Sequence, residues 1–186
     1  VSWQLVRTDQ VPPSPWRNGG GVTRELVAWP SANDWTWRIS VAEVAASGPF
    51  SRFDGVQRWF AVLDGRGVRL QLGGGENILT PACAPFCFDG AQAVDCRLLD
   101  GATRDLNLMV RGNRMSARMT RIEGLRQLVA RGDGVIAVYA VRAPVTLACG
   151  DATLDLPAGS LAWRQVASGT PVRIEAGQAL CMEIPE

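Results

Sequence analysis

Phe60-Ala-Val-Leu-Asp-Gly-Arg-Gly-Val-Arg-Leu-Gln-Leu, residues 60–72, reads as strand, tight turn and strand. Its two apolar runs are too short for helices, and Asp64-Gly65 between them is a hairpin-type turn. A glycine triplet at 73–75, then Ile78-Leu and Pro81, continue the pattern. About 76 residues on, the layout returns as Ile136-Ala-Val-Tyr, Val145-Thr-Leu-Ala-Cys, Gly150-Asp151, Leu154 and Pro157. An antiparallel β unit that occurs twice in one chain indicates a duplicated jelly roll.

The rest of the chain is consistent with this. Ser2–Arg7 reads as a first strand, and Val11–Pro15, with three prolines, as a loop or an edge. Gly21–Trp29 and Trp35–Ala42 read as the two arms of a hairpin. Helical spacing is confined to Met119–Arg131, where Ile122, Leu125, Leu128 and Val129 recur at three or four residues. The expected fold class is therefore all-β, with at most short helices: a double-stranded β-helix of the jelly-roll kind, duplicated. The expected domains are residues 1–115 and 116–186, packed as one compact unit.

Composition prunes the chemistry. With 186 residues and 47% hydrophobic content the chain can bury a real core. The net charge of +1 suggests neither nucleic acid nor an anionic membrane surface as a partner. There is no histidine, which excludes Ser-His-Asp and Cys-His catalysis and every histidine-ligated metal site. There is no lysine, which excludes a Schiff base and a Walker lysine. Five cysteines, an odd number, are expected to be reduced and mostly buried. No apolar run approaches the ~20 residues of a membrane-spanning helix, and no signal pattern opens the chain, so a cytoplasmic location is expected.

Four stretches carry chemistry. Trp16-Arg-Asn-Gly-Gly-Gly-Val-Thr-Arg-Glu is a glycine-rich turn running into a strand, with Arg17 and Asn18 ahead of the glycines. Period two puts Thr23 and Glu25 on one face of that strand and Arg38 and Ser40 on one face of its partner. Glu25 then meets Arg38 if the register brings the faces together. Gly48-Pro-Phe-Ser-Arg-Phe-Asp-Gly is a turn-rich loop carrying Phe50, with Arg58 beyond it. Within Arg104–Gly112, Asp105, Asn107, Met109 and Arg111 share one side, opposite Leu106, Leu108 and Val110.

In order and spacing these motifs resemble the HutD/Ves family over about the first two thirds of the chain. The resemblance implies a cupin-type double jelly roll, a bicupin, in a bacterial cytoplasmic protein linked to histidine utilization. It further implies an accessory or regulatory role, sensing an intermediate such as N-formylglutamate or urocanate. Asp54 and Leu106 stand where the family more often has Pro and Phe. The histidines of the usual cupin metal motif are absent, so neither a metal nor another cofactor is expected.

The first functional expectation is a metal-free cupin that binds a small carboxylated metabolite. Arg17, Arg38, Arg58 and Arg111 would anchor carboxylates. Asn18, Thr23, Glu25, Ser40 and Asn107 would orient the ligand, and Trp16, Phe50 and Met109 would line an apolar wall. Several of these arginines have internal partners available in Glu25 and Asp105. The alternative is an isomerase, lyase or hydrolase with Glu25 as general base. A third reading, a homodimer paired through sheet edges, belongs to an interaction protein.

Overall fold

Apart from a 3-10 turn at Thr8–Gln10, every regular element in the computed structural model, which describes residues 2–112 and 117–186, is a β-strand. In chain order these are β1 (Gln4–Arg7), β2 (Ser14–Pro15), β3 (Gly21–Pro30), β4 (Trp35–Val44), β5 (Gly48–Pro49) and β6 (Val56–Asp64). Next come β7 (Val68–Leu72), β8 (Gly75–Leu79), β9 (Phe86–Asp89), β10 (Asp95–Leu98) and β11 (Thr103–Arg111). The last six are β12 (Arg118–Val129), β13 (Gly134–Ala140), β14 (Val145–Cys149), β15 (Ala152–Leu156), β16 (Ser160–Val166) and β17 (Pro171–Pro185). The all-β expectation holds.

Two units make up the chain, one of Val11–Met115 and one of Val1–Gln10 with Ser116–Glu186. The expected boundary at 115/116 lies outside the described residues. The assignment of residues 1–10 to the N-terminal jelly roll needs correction. β1 runs antiparallel to β16, from Gln4 opposite Trp163 to Arg7 opposite Ser160. The hydroxyls of Thr8 and the buried Tyr139 lie 3.2 Å apart, which ties the same segment down.

In the unit of residues 11–112, a six-stranded antiparallel sheet has the order β2-β3-β4-β11-β6-β9, and a four-stranded sheet has the order β5-β10-β7-β8. Phe60 and Val62 of the first pack with Val68, Leu70 and Cys96 of the second, together with Phe88 and Val94. Alternating side chains of two facing sheets thus build this core.

In the other unit, β1-β16-β13-β17-β14-β15 form one sheet, with β12 also paired to the fifteen-residue β17. Ile136, Val138, Leu147, Leu156 and Ile174 are buried within it. The helical expectation for Met119–Arg131 is overturned, because β12 pairs along the length of β17. A bulge between Ile122 and Gly124, with Gly124 at φ +73°, shifts the period-two phase of the strand. That shift produced the three-and-four spacing. Leu125 and Val129 are 56% and 58% exposed, so no apolar helical stripe exists. None of the five cysteines is in a disulfide; Cys96, Cys149 and Cys181 are buried, while Cys83 and Cys87 are half-buried.

Candidate ligand-binding site

Register along the six-stranded sheet assembles the site. One rung runs Thr23, Ala42, Asp105, Val62, and the next runs Glu25, Ser40, Asn107, Phe60. A third runs Ala28, Arg38, Met109, Arg58, Phe88, after a bulge between Glu25 and Val27 has moved β3 by one residue. Cross-strand neighbours on one face lie within side-chain reach. The face therefore grades from apolar, at Val62 and Phe60, to polar, at Ser40, Asn107, Arg38 and Arg58.

A cavity of about 460 Å³ opens on that polar end. Its sheet wall is Thr23, Arg38, Ser40, Arg58, Asn107 and Met109, and its rim is Trp16, Arg17, Asn18 and Phe50. These ten residues were expected from sequence. Two expected residues stay off the wall. Glu25 turns to Arg38, with Oε2 3.7 Å from Nη1. Arg111, at the end of β11, lies over the Trp35 ring at 4.2 Å and 3.8 Å from Asp34. It stands two residues beyond Met109, about 6.5 Å along the strand and past the cavity edge.

The wall also includes Asp105, with Phe53, Ser51, Pro15, Ala42 and Pro49. Asp105 shares strand parity with Asn107 and Met109, and that parity is the sequence signal that places it on the wall. Phe53 lies outside the regular strands, where no periodicity points to it.

The three glycines shape the rim. The Gly19 N–H donates to the Trp16 carbonyl at 3.0 Å, and the Trp16 N–H to the Gly21 carbonyl at 2.9 Å. Gly19 sits at φ +71°, which other residues rarely adopt. A Cβ on Gly21 would lie 2.3 Å from the Glu43 carbonyl oxygen and 3.2 Å from the Trp16 ring. The Trp16 indole consequently lies against this backbone and donates from Nε1 to Thr23 Oγ1 at 2.7 Å. Asn18 Oδ1 accepts the Gly20 N–H at 3.0 Å, fixing the turn. Arg17 is exposed at the mouth.

Electrostatics at the floor centre on three residues. Arg58 is 5% exposed and donates from Nη2 to Asn107 Oδ1 at 3.1 Å and from Nη1 to the Ser51 carbonyl at 3.2 Å. Its guanidinium also lies over the rings of Phe88 at 5.0 Å and Phe50 at 5.4 Å. Burial lowers it to about 10, against the pull of Asp105. Asn107 Nδ2 donates to Asp105 Oδ1 at 2.5 Å. Burial pushes Asp105 up to about 8, opposed by the Asn107 hydrogen bond and the charge of Arg58. Its carboxyl is therefore mainly neutral at pH 7. Burial also lowers Arg38, with Glu25 opposing and Arg111 assisting. The cavity thus sets the guanidinium groups of Arg38 and Arg58 among aromatic rings. Among the described residues no group of three or more His, Cys, Asp or Glu side chains is placed to hold a metal ion. No helix among them is long and apolar enough to cross a membrane.

A model of the HutD family matches residues 8–182. An uncharacterized 21.2 kDa protein in the hutC 3' region of Pseudomonas putida is 37% identical over 135 residues, which cover 72% of this chain and 71% of that protein. The solved structure of HutD from Pseudomonas fluorescens SBW25 superposes with a TM-score of 0.85 at 28% identity, covering 99% of this chain and 98% of the other. Oxalate decarboxylase of Bacillus subtilis gives a TM-score of 0.71 at 9% identity, over 100% of this chain and 78% of that one. That last likeness is one of fold alone, and it makes the architecture cupin-like.

Proposed function

This chain belongs to the HutD family, and from that premise we propose that it is a metal-free, cupin-type protein that binds a small carboxylated metabolite. The observation that carries the reading is the presence of buried Arg58 and a neutral Asp105 on one cavity wall, linked through Asn107. A carboxylate entering there meets the guanidinium without facing a second anion. Histidine utilization is the setting, supported by the hutC-region relative in Pseudomonas putida and by the Pseudomonas fluorescens HutD structure. N-formylglutamate and urocanate are the first candidates, and the role is accessory or regulatory, in the bacterial cytoplasm. The two β units are read as duplicated jelly rolls, a bicupin, on the recurrence of the β6–β7 pattern in β13–β14. The enzymatic alternative is weaker because Glu25 faces Arg38 rather than the cavity.

Thermal-shift measurements with histidine-pathway acids test this reading. A ligand at 100 times its Kd stabilises the fold by about 2.7 kcal/mol, a visible rise in Tm. If none of these acids moves Tm, the metabolite reading is wrong. Turnover of one of them by the purified protein, lost in Glu25→Gln, would restore the enzyme reading. Neither nucleic acid nor membrane belongs to the proposal. A homodimer through sheet edges does, and light scattering at high concentration decides it.

A further inference from the structure

We propose that Asp105 meets the ligand as a carboxylic acid, so that the site binds a carboxylate anion only while that proton is in place. The inference rests on the reading of the cavity as a carboxylate site and specifies how that site recognises its ligand.

Asp105 is 1% exposed and lines the cavity. One oxygen, Oδ1, accepts the Asn107 amide at 2.5 Å; the other, Oδ2, is buried without a partner. An anion there would keep a full charge on a single hydrogen bond, which is costly. The acid form instead presents one O–H, and a ligand oxygen is the acceptor it lacks.

Arg58 is not consumed by Asp105. Its two terminal nitrogens donate to Asn107 and to the Ser51 carbonyl, and its Nε is buried without a partner. The wall therefore carries unmatched donors in the Nε–H groups of Arg58 and Arg38 and the acid O–H of Asp105. A carboxylate supplies two acceptor oxygens. Ionised Asp105 would remove one donor and add repulsion, so anion binding and proton loss from Asp105 oppose each other.

The groups around Asp105 leave it as the one that responds near neutral pH. β6 contributes Arg58, and β4 contributes Arg38, which Glu25 of β3 faces at 3.7 Å. β10 contributes Cys96, with Asp95 beside it; burial pushes the Cys96 thiol up to about 12, and Asp105 and Asp95 add to that. Arg58, lowered to about 10, and Cys96 both lie above pH 6–9, whereas Asp105, at about 8, falls inside it.

Sodium formate, ionised throughout that range, is the probe, with Kd read from NMR shifts of the whole chain. The expected Kd is constant from pH 6 to 7 and rises towards tenfold per pH unit above about 8. Saturating formate should move the carboxyl 13C titration midpoint of Asp105 upward, and Asp105→Asn should flatten the alkaline rise. A Kd that is equal at pH 6 and pH 9, or a midpoint that stays put or falls, overturns the proposal and leaves the carboxylate site standing. If formate does not bind even at pH 6, the carboxylate reading itself fails, and the proton-coupled form with it.

Discussion

Arg58 and Asp105, the cation and the acid of the cavity floor, share neither a hydrogen bond nor an ion pair. Asn107 stands between them, accepting from Arg58 Nη2 at 3.1 Å and donating to Asp105 Oδ1 at 2.5 Å. A direct ion pair would cancel the positive charge of the cavity floor. Burial raises Asp105, and the Asn107 hydrogen bond and the charge of Arg58 only partly oppose it.

Asn107→Ala removes both bonds at a residue that is 6% exposed. Two buried groups lose partners at once, so the expected destabilisation is about 2–4 kcal/mol. Urea unfolding with an unchanged m-value measures it. A loss below about 0.5 kcal/mol would mean that water replaces the amide without cost.

Asp105 makes the stability of the unliganded protein depend on pH. Its folded value, about 8, lies above its ordinary 3.8, so the folded state binds more protons between those values. Its contribution is fully present below about pH 4 and is lost as pH rises towards 8. Asp105→Asn should therefore gain on the wild type as pH is raised from 4 to 8. A parallel pair of stability curves across that range would contradict the buried, neutral carboxyl.

The glycines of the rim should separate by geometry. Gly21→Ala places a methyl 2.3 Å from the Glu43 carbonyl oxygen, so the strand or the Trp16 turn must move. About 3 kcal/mol or more and a shifted tryptophan emission are expected. Gly19→Ala meets nothing within 4 Å and faces only the strain of φ +71°. Its cost should be about 1–2 kcal/mol, with the emission unchanged.

Arg17 and Arg58 should part company in the same assay. Arg17 is exposed, so Arg17→Ala should leave Tm within a degree or two while weakening a carboxylate ligand at the mouth. Arg58→Ala strips partners from Asn107 and the ring stack of Phe50 and Phe88, and should lower both Tm and affinity. Equal behaviour of the two variants in calorimetry would remove the distinction between mouth and floor.

Much of this arrangement was legible in the sequence because strands advertise their faces. Arg38 and Ser40 alternate with buried Trp37, Ile39 and Val41, and Asn107 and Met109 alternate with Leu106 and Leu108. Parity alone does not say where the cavity ends, and Glu25 and Arg111 share the parity of its wall without lining it. Parity also breaks at a bulge, which is why residues 119–131 carried a helical spacing around Gly124. Nothing local in Gln4–Arg7 records that its partner is β16, since pairing between distant segments depends on the assembled edge.

The pairing of β1 with β16 also bears on synthesis. The two strands are separated by the whole of residues 11–115, which form a unit of their own. As the chain leaves the ribosome, that inner unit can close while Gln4–Arg7 still waits for a partner some 150 residues later. Closure entropy grows only slowly with such a loop, and an inner segment already folded shortens it further. The backbone N–H and C=O groups that β1 shares with β16 therefore stay without their strand partner until Leu161 and Ala162 emerge.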